Sequence, residues 1–222
     1  RKTIMIKRTL YFGNQTYLSL KDNQLVIKKS GGETVTAAIE DIAYIVLDSP
    51  QITVTNALLG ALLENNCAII NCDKTHLPSG LLLPLSGNTL QSERFQAQIE
   101  ASLPLKKQLW QQKKKKKILN QAAILKSSRD AEIGNMTAWA NSVRSGDVDN
   151  REAVAAAYYW KELFPDIPDF IRDRNGVPPN NMLNYGYAIL RGVVARALVS
   201  NGLLPTFGIH HHNRYNAYCL AD

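Results

Sequence analysis

The chain has only three cysteines, Cys67, Cys72 and Cys219, in 222 residues. An odd number without framework spacing argues against a disulfide scaffold and for reduced thiols, which are read as small buried hydrophobes. No Cys-x-x-Cys pair occurs, so a structural zinc site of the finger or ribbon kind is not expected. Nor does any apolar run reach the ~18 residues needed to cross a bilayer. The opening RKTIMIKRTLYF also lacks the apolar stretch of a signal peptide. These absences lead to the expectation of a cytoplasmic protein with no membrane association. What is present is a 45% hydrophobic content, sufficient for a real core in one large domain or two modest ones.

Charge of one sign is in excess. There are 26 Lys and Arg against 19 Asp and Glu, giving a formal net charge of +7 and a sequence pI near 9.3. A polyanion is a plausible partner for such a surface, because neutralised phosphates release counterions and drive binding. The charge alone leaves open a basic protein that binds no nucleic acid.

The chain changes character once. Up to about residue 86 it reads as short strands with turn signals. Tyr17, Leu18, Leu20, Leu25, Val26 and Ile27 flank Asp22-Asn23 as a hairpin would, and Ile42–Leu47 is a second apolar, β-branched run. Thr55 or Asn56 starts a short helix with Leu58, Leu59, Leu62 and Leu63 on one face; strands are then expected over 67–70 and 81–85. After the polar link Ser86-Gly87-Asn88-Thr89 the sequence turns to Ala, Leu, Gln, Lys and Glu. Helices are predicted over 90–101, 105–127, 129–144, 150–164 and 179–201. Breaks fall at Pro104, Ser145-Gly146-Asp147, Pro165 to Pro168 and Gly176 to Pro179. The fold class expected is therefore α+β, a sandwich-like β domain with one short helix over 1–87 followed by an all-α domain over 88–222.

Several residues invite a chemical reading. Glu152 opens a predicted helix whose next residues, Ala153, Ala155, Ala156 and Ala157, are small enough for close packing. A lone glutamate there also suits the helix dipole without any further role. Asn180, Asn181 and Asn184, with Tyr185 and Tyr187, put many polar groups at the start of an otherwise apolar helix, which reports either a satisfied core network or a lined site. His210, His211 and His212 follow Gly208 on an extended stretch, so at most one or two can face the same site. Cys72 and His76 in CDKTH are two potential ligands, too few for a metal site. Lys113, Lys114, Lys115, Lys116 and Lys117 would spread charge around a helix, as a solvated surface or as phosphate contacts. Arg144, Arg151, Arg172, Arg174, Arg191 and Arg196 lie near the Glu and His segments in sequence, which favours a phosphate-bearing substrate.

The order NREAVAAAYYW, then PPNNMLNYGYAILRGVVARALVSNGLLPTFGIHHHN, then YNAYCLAD resembles the CRISPR-associated endonuclease and integrase family Cas1, in the form found with type II systems. EDIAYIVLDSPQITVT, NNCAIINCDKTHLPSGLLLPL and the KRTLYF opening agree with it, so the resemblance covers nearly the whole chain. It implies an amino-terminal β domain joined to a helical catalytic domain and paired as a homodimer. It also implies a Mg²⁺ or Mn²⁺ ion held by a glutamate, a histidine and a later acidic residue. The glutamate corresponds to Glu152. The histidine, three residues after a glycine in the family's pattern, corresponds to His211 rather than His210 or His212. Asn184 and Tyr185 occupy its LNYG block and would line the site. In type II relatives the LAD run continues into a D-L-M-E-like segment carrying the third ligand, so that carboxylate is expected beyond Asp222, itself a weak stand-in.

What the resemblance implies chemically is metal-assisted phosphoryl transfer on DNA. The 3′-hydroxyl of a captured fragment would attack a repeat end and join the fragment as a new spacer. A Cas2 dimer would be the bridging partner, with the effector nuclease and a further adaptation protein of type II systems as other candidates. Lys113 to Lys117, Arg144, Arg172, Arg174 and Arg191 are the expected nucleic-acid contacts. Two other readings stand beside this one: a non-catalytic DNA-binding scaffold, and a stand-alone metal nuclease of the same fold.

Overall fold

Among the described residues eight strands precede the long helices, in the order β1 Arg8–Phe12, β2 Thr16–Lys21, β3 Gln24–Lys29, β4 Thr34–Ala38, β5 Ile42–Leu47, β6 Ile52–Val54, β7 Ala68–Cys72 and β8 Pro78–Leu82. The short helix α1, Asn56–Glu64, lies between β6 and β7. The structure is a computed structural model, and it describes residues 7–173, 175–210 and 215–222. The strands form two four-stranded sheets, ordered β1-β5-β7-β8 and β4-β3-β2-β6. Mixed α+β architecture, with sheets first and helices after, is as the sequence predicts.

Local chemistry accounts for the best-defined pieces. Asp22 and Asn23 both adopt left-handed backbone, with φ of 50° and 56°. Asn and Asp tolerate that region, and two such residues make the turn whose twist suits a hairpin. The register follows from it, Lys21 opposite Gln24 and Leu18 opposite Ile27. Strand β5 reads IAYIVL and is buried along almost its whole length, because it runs parallel between β1 and β7. A strand covered on both faces wants a continuous apolar run rather than alternation. Leu18 and Leu25 from one sheet, Ile42, Ile45 and Ile69 from the other, and Leu58 and Leu62 of α1 form one core. Each such fully buried side chain contributes about 1.5–3 kcal/mol.

Two expected strands are displaced. The run at 81–85 is apolar, yet the strand is Pro78–Leu82 and Leu85 is 95% exposed. Pairing decides this: β8 runs antiparallel to β7 with Asn71 opposite Gly80, and Pro84 has no N–H to extend the ladder. Cys67 is not in β7, since its N–H closes the end of α1 on the Leu62 carbonyl at 2.9 Å.

Among the described residues five α-helices follow: α2 Gln91–Glu100, α3 Leu103–Arg129, α4 Gly134–Ser142, α5 Arg151–Leu163 and α6 Asn180–Ser200. Contacts divide the chain into two compact units. In the first, the described residues up to Gln98 join Met182–Phe207 and the last residues of the chain; in the second, Ile99–Asn181 joins a short segment from Gly208. Most of α6 thus belongs with the sheets. Gly192 explains the fit, because a Cβ there would come within 2.8 Å of the Ile70 side chain on β7. Tyr44 on β5 donates its hydroxyl to the Val193 carbonyl at 2.5 Å, and Arg196 donates to the Asn66 carbonyl. The carboxy end of α6 is satisfied from the α2 region, Asn88 donating to the Ser200 carbonyl at 3.1 Å and Arg94 to that of Asn201 at 2.7 Å.

The second unit is helical. Ile118, Ala122 and Leu125 make one stripe of α3, and Met136 and Ala140 of α4 with Ala155 and Tyr159 of α5 complete its core. The Ser102 hydroxyl caps α3 by accepting from the Leu105 N–H, which places Pro104 in the first turn. Pro104 is tolerated there because the N–H it lacks has no partner within the helix. Asp130, left-handed at φ 50°, ends the helix.

Candidate active site

Glu152 is the second residue of α5, and the turn before it fixes its backbone. Asp147 is buried and accepts two of the free N–H groups at the helix start, that of Arg151 at 2.9 Å and that of Glu152 at 3.3 Å. Asn150 sits at the cap position in left-handed backbone and makes no side-chain cap bond. The capping carboxylate therefore comes from three residues further back. A negative group at that position also suits the helix dipole.

The Glu152 carboxylate faces α3. Lys114 Nζ lies 2.6 Å from Oε2 and Lys117 Nζ lies 2.6 Å from Oε1. Glu152 and Lys114 are each 13% exposed, Lys117 51%. Burial acts to raise the Glu152 pKa, but the hydrogen bonds and charges of the two lysines outweigh it and hold the carboxyl below its ordinary value. It is an ionised oxygen donor set among cations.

Residues 110, 114 and 117 share one face of α3 through their 4 and 3 spacing. Lys114 Nζ sits 4.4 Å from the centre of the Trp110 ring, and Lys113 Nζ 5.3 Å. Trp110 is buried, and its ring stacks on His210 with centroids 4.7 Å apart. A single helix face thus touches both the acid of α5 and the start of the histidine run. His211 lies outside the described residues, as does Arg174.

The other expected site residues fall in several places. Lys115 and Lys116 are exposed. Arg144 makes a bidentate pair with Asp149, at 2.7 and 2.5 Å. Arg172 donates to the Asp173 carbonyl and to Asn180 Oδ1, and faces the Trp160 ring at 6.0 Å. Asn180 is buried and accepts from the Asp173 N–H at 2.9 Å while donating to the Ile171 carbonyl at 3.0 Å. Of the two readings open for its amide, the satisfied network is the observed one. Arg191 holds Asp222 at 2.5 and 3.2 Å, and Asn216 binds the same carboxylate at 2.6 Å. Asn184 and Tyr185 belong to the first unit, where burial above all, with the nearby Asp48 charge, raises the Tyr185 hydroxyl pKa.

Sequence reasoning missed Asp147, Trp110 and the pairing of two of the five lysines. Asp147 had a signal, an acid shortly before a helix start; the others depend on packing. Cys72 and His76 do approach one group, since His76 Nδ1 is 2.9 Å from Asp48 Oδ1. Burial and the Asp48 charge push the Cys72 thiol up to about 11, which keeps it protonated and a poor ligand. Among the described residues no cluster of three or more His, Cys, Asp or Glu side chains is arranged to hold a metal ion. The donor chemistry at Glu152 suits a hard cation, because the carboxylate is ionised, largely buried and already bound to positive charge.

The family model described as "CRISPR associated protein Cas1" matches residues 10–222. The chain belongs to the Cas1 family. It is 41% identical over 219 residues to the CRISPR-associated endonuclease Cas1 of Neisseria meningitidis serogroup C (strain 8013), covering 98% of this chain and 71% of that protein. Among solved structures, a chain of a Cas6-RT-Cas1--Cas2 complex superposes with a TM-score of 0.71 at 20% identity, over 100% of this chain and 26% of that one. A casposase bound to integration product gives a TM-score of 0.64 at 21% identity, over 96% of this chain and 67% of that one. At these identities the two structures speak to fold alone, and the Cas1 fold agrees with the architecture described above. No helix among the described residues is long and apolar enough to cross a membrane.

Proposed function

We propose that this Cas1 protein is a metal-dependent DNA endonuclease and integrase of CRISPR adaptation, inserting captured fragments into a repeat array. The observation that carries the reading is Glu152, a largely buried and ionised carboxylate at a capped helix start, present where the family resemblance implies a metal ligand. The meningococcal relative's name as an endonuclease and the integration product bound to the casposase of similar fold both support it. The complex containing Cas1 and Cas2 supports a Cas2 dimer as partner. A homodimer, DNA as captured fragment and repeat, and other type II adaptation proteins complete the proposed assembly.

Glu152, His211 and a further carboxylate would hold Mg²⁺ or Mn²⁺. When bound, the ion would polarise the scissile phosphate and stabilise in-line displacement by a 3′-hydroxyl. The chain's own residues prepare the place. Asp147 orients the Glu152 backbone, and Trp110 stacks on His210. The exposed Lys115 and Lys116 offer ammonium groups to DNA phosphates. Asn184 and Tyr185 are proposed to line the site.

The test uses the full-length protein in a strand-transfer assay with Mn²⁺. Glu152→Gln and His211→Ala should each lower the rate at least about a hundredfold, since even changes to the residues that merely orient a metal's ligands cost about 10–100-fold. Both should still unfold in a cooperative thermal transition, and His212→Ala should be mild. Equal loss for alanine at 210, 211 and 212 would overturn the choice of His211; full activity of Glu152→Gln would overturn the reading itself and leave the DNA-binding scaffold.

A further inference from the structure

The cations at Glu152 are unequal, and that inequality has a use. Lys114 is held from two sides, by Glu152 Oε2 at 2.6 Å and by the face of Trp110 at 4.4 Å, and is only 13% exposed. Lys117 reaches Oε1 at the same 2.6 Å but is 51% exposed, three residues along the helix. Both oxygens of the carboxylate are engaged, and two ammonium groups exceed the charge of one carboxylate. A divalent cation taking an oxygen of Glu152 would stand at close range to both ammonium groups, and like charges that near repel.

We propose that Lys117 is a displaceable counter-cation of Glu152, leaving when the divalent metal arrives and then standing free to meet a DNA phosphate. This rests on the reading of Glu152 as a metal ligand. The half-exposed position gives the released ammonium group a route to water, whereas Lys114 stays between acid and indole. Without metal, Lys117 satisfies the second oxygen of a largely buried carboxylate, which would be costly to leave without a counter-charge. With metal, its charge adds to the positive surface of Lys115 and Lys116 on the same helix. Metal and DNA then favour each other's binding through one side chain, and such coupling is reciprocal by thermodynamic necessity.

Mn²⁺ binding to the full-length protein without DNA, followed by electron paramagnetic resonance, tests the first half. Lys117→Gln should bind Mn²⁺ about threefold to fivefold tighter than wild type, in line with the upper range for a partly exposed ion pair. Lys117→Arg, which keeps the charge, should bind as wild type. Duplex DNA titrated by fluorescence anisotropy with and without Mn²⁺ tests the second half: the metal-dependent gain seen in wild type should shrink in Lys117→Gln and persist in Lys117→Arg. If Glu152→Gln binds Mn²⁺ as wild type does, the ligand reading falls and takes this proposal with it. If Glu152→Gln loses Mn²⁺ while Lys117→Gln gains nothing, the counter-cation role alone is overturned. An equal metal-dependent gain in wild type and Lys117→Gln overturns the role of Lys117 at the phosphate.

Discussion

Two largely buried carboxylates, one in each unit, show how differently a protein can keep an acid ionised. Asp48 in the β unit is 4% exposed and is held by the Tyr11 hydroxyl at 2.6 Å and His76 Nδ1 at 2.9 Å. Glu152 in the helical unit is held by two ammonium groups. At both, burial acts to raise the pKa and the partners win, leaving it lowered. The partners at Asp48 are side chains of β1 and of the turn before β8, so the acid fastens strand ends together. Those at Glu152 are long-chain cations from one helix, interchangeable with other cations. The first arrangement suits structure and the second suits exchange.

Substituting each acid by its amide is the sharpest way to break this comparison. Glu152→Gln should abolish strand transfer in a protein that still folds, while Asp48→Asn should cost about 1–3 kcal/mol of stability. The Asp48→Asn protein, once folded, should keep its rate per active molecule. A urea titration beside the strand-transfer assay separates the two outcomes, and a stable Asp48→Asn protein without activity would erase the distinction.

A second break uses acid. Because both folded pKa values lie below the ordinary ones of 3.8 for Asp48 and 4.5 for Glu152, each acid contributes stability that is present above those values. That stability is lost as pH falls through the lowered folded pKa. Unfolding free energy measured from pH 7 down to 3 should therefore fall less steeply in Asp48→Asn and in Glu152→Gln than in wild type. An identical acid limb in either variant would show that its carboxylate gains nothing from its partners.

The smallest expected effect concerns the lysines that Glu152 does not hold. Lys115→Gln with Lys116→Gln should flatten the log–log salt dependence of duplex binding by about 0.9 for each phosphate that is no longer neutralised. Replacing all five lysines should flatten it further. An unchanged slope in the double variant would return Lys115 and Lys116 to plain solvated surface.

What could be read from sequence was what is decided locally. The Asp22-Asn23 hairpin and strand β5 follow from turn chemistry and a continuous apolar run, and both stand where expected. The helices α2 to α6 also agree in order, all to within two residues except α4, which starts at Gly134 rather than 129. Strand β8 was misplaced because its register is set by β7, a partner that apolar content does not reveal. At the candidate site, Glu152 is singled out by its motif. The lysine run was not, since five identical residues look the same on every face of a helix, and only the packing of α3 against α5 selects Lys114 and Lys117. Arg144 and Arg191, expected on DNA, have acids close at hand in Asp149 and Asp222, and the second pair spans 31 residues.

The Asp147 cap separates two timescales in the making of this site. Its bonds to the N–H groups of Arg151 and Glu152 span four and five residues, while the Lys114–Glu152 contact spans 38. Short loops close faster and at lower entropy than long ones. The acid is thus given its address by its own neighbourhood before the distant helix supplies its charge. Amide exchange at Glu152 should consequently outlast damage to α3 that leaves the carboxylate without its cations, so that a protein can lose the chemistry of the position and still keep the position.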